Sequence, residues 1–239
     1  MNPPNKIRCI AFLILCCAPV LQAKAVSLSG YVYGEFSHPL AGCADEYHIN
    51  NADLGHSSSS SSVFSWGASR HSPYGSQFSF DGASSDAHET DFSVSSGSAF
   101  SLGQFTYTNL PTRRSSSVEG IDFRVNINLS GVGWSSFDYS LSIDNTPNNG
   151  GNDADHVGLK NRPDDVFFDY AGQSYMLEVL GFSRDSGLTF EDYATVAERS
   201  STTAEIYARV QVVPVPAAVW LFVSGGIALV SITRRSTKV

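Results

Sequence analysis

The sequence predicts an all-β fold, an antiparallel β-sandwich or jelly roll, with an apolar segment at each end of the chain. Three observations lead to this prediction. Charged residues make up only 16% of the 239 residues and aromatic residues reach 12%, a balance that favours strands over helices. Apolar and polar residues alternate with a period of two in many segments, as in strands with one buried face. Segments rich in Gly, Ser, Asn and Pro, the residues that turns prefer, separate these runs.

The alternation is clearest in residues 120–130, 137–143 and 204–212, where every second residue is apolar. Shorter runs predict further strands at residues 31–36, 77–80, 90–94, 100–108, 166–170 and 175–182. With a strand beginning at Val63, the total is about nine or ten strands. No segment longer than residues 188–198 has helical spacing.

These strands each have one apolar and one polar face, which predicts antiparallel sheets packed face to face. We therefore expect one β-sandwich surface domain over residues 26–212, since roughly 150 residues per domain is typical. Residues 1–25 and 213–239 have a different character.

Residues 1–25 have the features of a secretory signal peptide. A basic start precedes an apolar stretch at residues 10–21, and Ala23 and Ala25 provide the small residues of a cleavage site. Cleavage after Ala25 leaves Cys43 as the one cysteine of the mature chain. An internal disulfide is then impossible, so the fold depends on its core.

Residues 213–239 combine a proline motif, an apolar segment and a basic end. Seventeen uncharged residues, 217–233, follow the prolines, which is the lower limit of the 17–25 residues that a transmembrane helix needs. Two arginines come next and would stay on the cytoplasmic side. The tail therefore predicts an anchor in the inner membrane, with the domain outside.

The motif of the tail is formed by Pro214, Val215, Pro216, Ala217, Ala218, Trp220, Leu221, Arg234 and Arg235. In order and spacing these residues closely resemble the PEP-CTERM sorting signal of Gram-negative bacteria, in a Val-Pro-Val-Pro form that lacks the glutamate of the family name. The resemblance implies that an exosortase, a membrane protease-transferase, removes the tail. The protein would then pass from the inner membrane to the cell surface or the extracellular matrix, among exopolysaccharide or biofilm. A plain C-terminal anchor is the alternative.

Six short segments within residues 60–212 carry a second resemblance. They are residues 63–67, 76–82, 102–109, 144–148, 155–157 and 175–182. Together they resemble the choice-of-anchor K group of bacterial surface domains, which occur with differing C-terminal anchors. The related THxN group has a His where this sequence has Tyr107. The resemblance implies a secreted β-domain and carries no assigned chemistry.

The densest run of oxygen-bearing side chains lies at residues 144–155, between two predicted strands. Its candidate calcium ligands are Asp144, Asn148, Asn152, Asp153 and Asp155. Calcium takes six to eight oxygens from carboxylates, amides and carbonyls, often on a flexible loop. Turns prefer the same residue types, and the spacing is not that of an EF-hand. A calcium site and an ordinary hairpin loop therefore both remain open.

Charge and motifs exclude several classes of function. Residues 26–216 hold 23 acidic and nine basic residues, a net charge of −14. Because this charge repels phosphate backbones, nucleic acid is not an expected partner. No Gly-x-Ser-x-Gly, His-Glu-x-x-His or phosphate-binding loop occurs, so no catalytic residue and no enzyme activity are predicted.

The leading expectation for the domain is a structural or adhesive component of an exopolysaccharide matrix or biofilm. A carbohydrate-binding module is the second expectation and an extracellular hydrolase the third. Trp66, Trp134 and tyrosines clustered on one solvent-facing surface would favour sugar binding. Carboxylates converging in a pocket would favour hydrolysis.

The tail generates the first testable prediction. If Pro214-Val215-Pro216 is a processing signal, mature protein should lack Trp220 and everything after it. The change Pro216→Ala should then leave uncleaved precursor in the inner membrane, as measured by mass spectrometry of fractionated cells. Normal maturation of this variant would indicate a plain anchor.

Overall fold

The computed structural model describes residues 27–41, 47–52, 61–67, 75–83, 92–111, 118–146 and 154–213. The expected signal peptide and residues 214–239 of the tail lie outside these ranges. Among the residues that the structure describes, no helix is long and apolar enough to span a membrane.

The described residues form thirteen β-strands. In chain order these are β1 (Ser27–Ala41), β2 (Tyr47–Asn50), β3 (Ser61–Trp66), β4 (Ser76–Gly82), β5 (Phe92–Ser95), β6 (Ala99–Asn109), β7 (Val118–Leu129), β8 (Gly133–Asp144), β9 (Ala154–Leu159), β10 (Val166–Tyr170), β11 (Gln173–Ser183), β12 (Tyr193–Ala197) and β13 (Ser200–Val212).

The strands form two antiparallel sheets. The first sheet has the order β12-β9-β8-β7-β1-β5, and the second has the order β10-β11-β13-β6-β4-β3-β2. Buried apolar side chains from both sheets form one continuous core. The predicted all-β class with two antiparallel sheets is therefore confirmed, and the arrangement is consistent with a β-sandwich.

The predicted strands were in the right positions, but about nine or ten were predicted and the described residues form thirteen. Each of the nine alternating runs overlaps a strand. Alternation did not reveal β2, β9 or β12, which have only four to six residues each. Residues 188–198, the longest segment with helical spacing, contain β12, a strand that pairs with β9.

Aromatic side chains dominate the contact between the sheets. Within the first sheet, the rings of Phe36, Phe123 and Tyr139 follow one another across β1, β7 and β8, with centroid distances of 4.9 and 6.0 Å. Phe78 and Phe105 of the second sheet meet them, at 6.4 Å from Phe36 and 5.7 Å from Phe123 respectively. Such pairs contribute about 0.5–1.5 kcal/mol each beyond the area that they bury.

The β1 seam, a set of hydrogen bonds, joins the open edge of β1 to the second sheet. β1 pairs with β5 only over its first four residues. Beyond them, the Val32 amide donates to the Ala83 carbonyl at 3.0 Å. The Phe36 amide donates to Asn51 Oδ1 at 2.8 Å, and Asn51 Nδ2 donates to the Phe36 carbonyl at 3.0 Å. Asn51 thus takes the place of a neighbouring strand and satisfies both backbone groups of Phe36.

Ser62 completes the β1 seam at Gly34. The Ser62 hydroxyl donates to the Gly34 carbonyl and accepts from the Ala52 amide. Gly34 has no room for a side chain, since a Cβ would lie 2.5 Å from Phe80 Cδ1 and 2.7 Å from Phe123 Cε2. The close approach of the sheets therefore requires glycine at this position.

Ser62→Ala should lower the free energy of unfolding by about 1–3 kcal/mol, because the buried carbonyl of Gly34 and the amide of Ala52 lose their partner. Urea denaturation measures this difference. The matched control is Ser79→Ala, since Ser79 is only half-buried and lies on the other face of β4 from Phe78 and Phe80. Equal losses in both variants would contradict the role of the β1 seam.

Candidate functional site

The strands β1, β7 and β8 present their alternate residues to solvent on one surface, the outer face. Val125 and Ile127 of β7 are buried in the core, so the residues between them point away from it. The outer face has four cross-strand rows, which are Tyr31–Asn128–Trp134, Tyr33–Asn126–Ser136, Glu35–Arg124–Asp138 and Ser37–Asp122–Ser140.

The first two rows form the aromatic end of the outer face. Trp134 is 50% exposed. Its ring meets those of Tyr31 and Tyr33 edge-on, at centroid distances of 5.1 and 5.6 Å and interplanar angles of 88° and 85°. The two tyrosines thereby hold the indole in position while half of it stays open to solvent. An exposed aromatic cluster of this kind is typical of a binding surface.

Amides and hydroxyls accompany the aromatic rings. Asn128 Nδ2 donates to the Tyr31 hydroxyl at 3.1 Å, and the Ser136 hydroxyl donates to Asn126 Oδ1 at 2.6 Å. Asn126 is only 5% exposed, and its Nδ2 has no hydrogen-bond partner in the described part of the chain. A buried donor without an acceptor costs about 1–3 kcal/mol.

The other two rows form the charged end of the outer face. Arg124 and Asp138 make a two-pronged ion pair at 2.6 and 3.1 Å, and these hydrogen bonds raise the pKa of Arg124. Because both side chains are about half exposed or more, the pair contributes at most about 1 kcal/mol. Asp122 accepts from the Ser140 hydroxyl at 3.1 Å and lies 3.7 Å from His38 Nδ1.

A cleft of about 640 Å³ lies at the charged end. Its lining includes Glu35, His38, Asp122, Arg124 and Asp138, which bring three carboxylates and one guanidinium together. Burial raises the pKa of the Tyr33 hydroxyl, and the negative charge of the nearby Glu35 carboxylate raises it further. The charge of Glu35 in the cleft therefore also acts on Tyr33 at the aromatic end.

The two candidate calcium ligands that the structure describes do not converge. Asp144 is exposed at the end of β8, whereas Asp155 is 4% exposed in β9. Asp144 pairs with His156, so Asp155 points to the opposite face of the sheet. Asn148, Asn152 and Asp153 lie outside the described residues. In the ranges that the structure covers, no group of three or more His, Cys, Asp or Glu side chains could hold a metal ion.

Asp155 instead accepts hydrogen bonds inside the core. Its Oδ2 accepts from the Tyr107 hydroxyl at 2.8 Å, and its Oδ1 accepts from the amide and the hydroxyl of Thr146 at 2.9 and 3.1 Å. Burial and this carboxylate raise the pKa of Tyr107 far above its usual value. Asp155 thus ties β9 to β6 through Tyr107 and to the residues that follow β8 through Thr146. Its alternation in phase with Val157 was the sequence signal for this buried position.

The two tryptophans of the sugar-binding expectation have different environments. Trp66 is 1% exposed in the core, where it stacks on Phe64 at 5.0 Å and on Tyr107 at 6.0 Å. Trp134 lies on the outer face. The expected signal-cleavage and sorting residues lie outside the described residues. No family model matches the chain, and no curated protein is similar to it.

Tyr107→Phe should lower the free energy of unfolding by about 1.5–3 kcal/mol, because Asp155 Oδ2 loses a buried hydrogen bond to a charged group. Tyr139→Phe is the matched control. Tyr139 is equally buried, and its hydroxyl has no partner among the described residues, so its removal should be neutral or stabilising. Equal losses in urea denaturation would contradict the assignment.

The calcium prediction for residues 144–155 has a direct test. A ligand that binds only the folded state at a hundredfold excess over Kd stabilises it by about 2.7 kcal/mol, or roughly 5–10 °C in Tm here. Millimolar calcium should therefore raise the Tm of the full chain above its value in chelator, and Asp153→Asn should remove most of this rise. Asp155 is unsuitable as a test because its loss breaks the bonds to Tyr107 and Thr146. Equal Tm values in calcium and chelator would identify the segment as an ordinary hairpin loop.

Proposed function

We propose that this chain is an exported envelope protein whose β-sandwich binds extracellular polysaccharide through the outer face, in a structural or adhesive role in matrix or biofilm. The observation that carries the proposal is Trp134, half exposed and held edge-on by Tyr31 and Tyr33. A single exposed apolar side chain is ordinary, whereas aromatic rings clustered on one exposed surface are typical of an interaction site.

A sugar chain matches the chemistry of this surface. Sugar rings have apolar C–H faces and a rim of hydroxyls, so they need flat aromatic rings beside donors and acceptors. The outer face supplies both, since Asn128 and Ser136 lie in the same cross-strand rows as the three rings. These groups are on strands of a packed sheet, so the surface is largely formed before binding and loses little entropy.

The proposed location comes from the two ends of the sequence. The signal peptide with cleavage after Ala25 gives export, and the tail at 213–239 gives transient anchoring in the inner membrane by a transmembrane helix. An exosortase-type enzyme is the proposed processing partner. A two-sheet β-domain that displays a binding surface is suited to the exterior of a cell.

The proposal is for binding without catalysis. The cleft does bring Glu35, Asp122 and Asp138 together, which is the arrangement that would favour hydrolysis. However, Asp138 is engaged by Arg124, and Asp122 accepts from Ser140. These carboxylates therefore have partners that suit a fixed surface. A hydrolase would release new reducing ends from the polysaccharide during long incubation, and we expect none.

Trp134→Ala should weaken binding to the exopolysaccharide of the producing strain at least tenfold, because exposed aromatic anchors account for most of the energy of such surfaces. Affinity electrophoresis of the full chain in mild detergent measures the change. The matched control is Phe167→Ala, an aromatic side chain that is 66% exposed on the second sheet. Unchanged retention of the Trp134 variant, or an equal loss in the control, would contradict the proposal.

A further inference from the structure

We infer that the outer face selects a polysaccharide with free amino groups, a cationic amino-sugar polymer, over neutral and anionic polymers. The inference rests on the proposed function and adds the charge of the ligand. It comes from the placement of the cleft with its carboxylates directly beside the aromatic end.

A chain that stacks on Trp134 and extends along the strands meets the carboxylates next. Successive residues on one face of a strand are about 6.6 Å apart, so the Glu35 row, two steps away, lies about 13 Å from the Trp134 row. An oligosaccharide of a few units covers this distance. The ligand is therefore exposed to the aromatic end and to the cleft at the same time.

The charges around the cleft do not balance. From β1 it receives Glu35 and His38, from β7 Asp122 and Arg124, and from β8 Asp138. Arg124 makes an ion pair with Asp138 and lies directly opposite Glu35, whose negative charge also helps to raise the pKa of Arg124. The neighbours of Asp122 are the Ser140 hydroxyl and the His38 ring. Three carboxylates thus share one guanidinium, and negative charge is in excess around the cleft.

Ligand classes should therefore separate by charge. Uronate polymers are repelled by Glu35 and Asp122 and by the negative charge of the body. Neutral polymers gain only stacking and hydrogen bonds. Protonated amino groups gain attraction to both carboxylates, and those near Trp134 gain a cation–π contact, which is strongest with Trp.

The test compares oligomers of glucosamine, N-acetylglucosamine and galacturonate of equal length, binding to the full chain in mild detergent at a pH where the amines are protonated. We expect glucosamine oligomers to bind best and galacturonate oligomers least. The double change Glu35→Gln and Asp122→Asn should weaken glucosamine binding roughly threefold to tenfold and weaken N-acetylglucosamine binding by a clearly smaller factor. Added salt should likewise weaken glucosamine binding the most.

The control is Asp169→Asn, an exposed carboxylate on the second sheet, which should leave all three affinities unchanged, with circular dichroism verifying the fold of each variant. Equal affinity for glucosamine and N-acetylglucosamine oligomers, or no effect of the double change, overturns the inference. Failure of all three to bind also overturns it. The proposed function is judged separately, by the effect of Trp134→Ala on binding of the strain's own polysaccharide.

Discussion

The β1 seam is the constraint on which the rest of the structure depends. β1 has few bonds to β5, so without partners on that side it would expose backbone donors and acceptors along an open edge. Ala83, Ser62 and Asn51 satisfy them from the second sheet. The same contacts hold the two sheets close enough that Gly34 cannot carry a side chain. The contacts that satisfy the open edge of β1 are therefore the same contacts that bring the two sheets together around the aromatic core.

That arrangement also positions the outer face. Each strand that sends a ring into the core sends the next side chain out to solvent, so Phe36 and Glu35, or Phe123 and Arg124, are fixed together. A rigid core therefore gives a rigid surface, with Trp134 held by two tyrosines. The exposed indole costs stability. A feature that costs stability at one surface of a well-packed domain is expected where binding occurs.

Asp155 illustrates that an aspartate can be either a cation ligand or a buried acceptor of hydrogen bonds. A carboxylate in a loop rich in Asn and Gly indicates a cation site, because hard oxygens are what calcium binds. In the fold the same carboxylate is buried and accepts three hydrogen bonds from Tyr107 and Thr146. Buried charges persist only with such partners. The partner Tyr107 is 48 positions away in the chain, beyond the reach of local patterns.

The sequence by itself determined the strands, and with them the all-β class, because the alternation of buried and exposed residues is local. The phase of this alternation also separates exposed from buried aromatic residues. Trp134 is out of phase with Phe137 and Tyr31 with Val32, whereas Trp66 is in phase with Phe64, so the exposed and the buried tryptophan were distinguishable. Only the tertiary structure decided that Tyr31 and Tyr33 lie beside Trp134, and that Glu35 adjoins Asp122. These neighbours meet through the strand order β1-β7-β8, which long-range pairing and core packing select and which no single segment encodes.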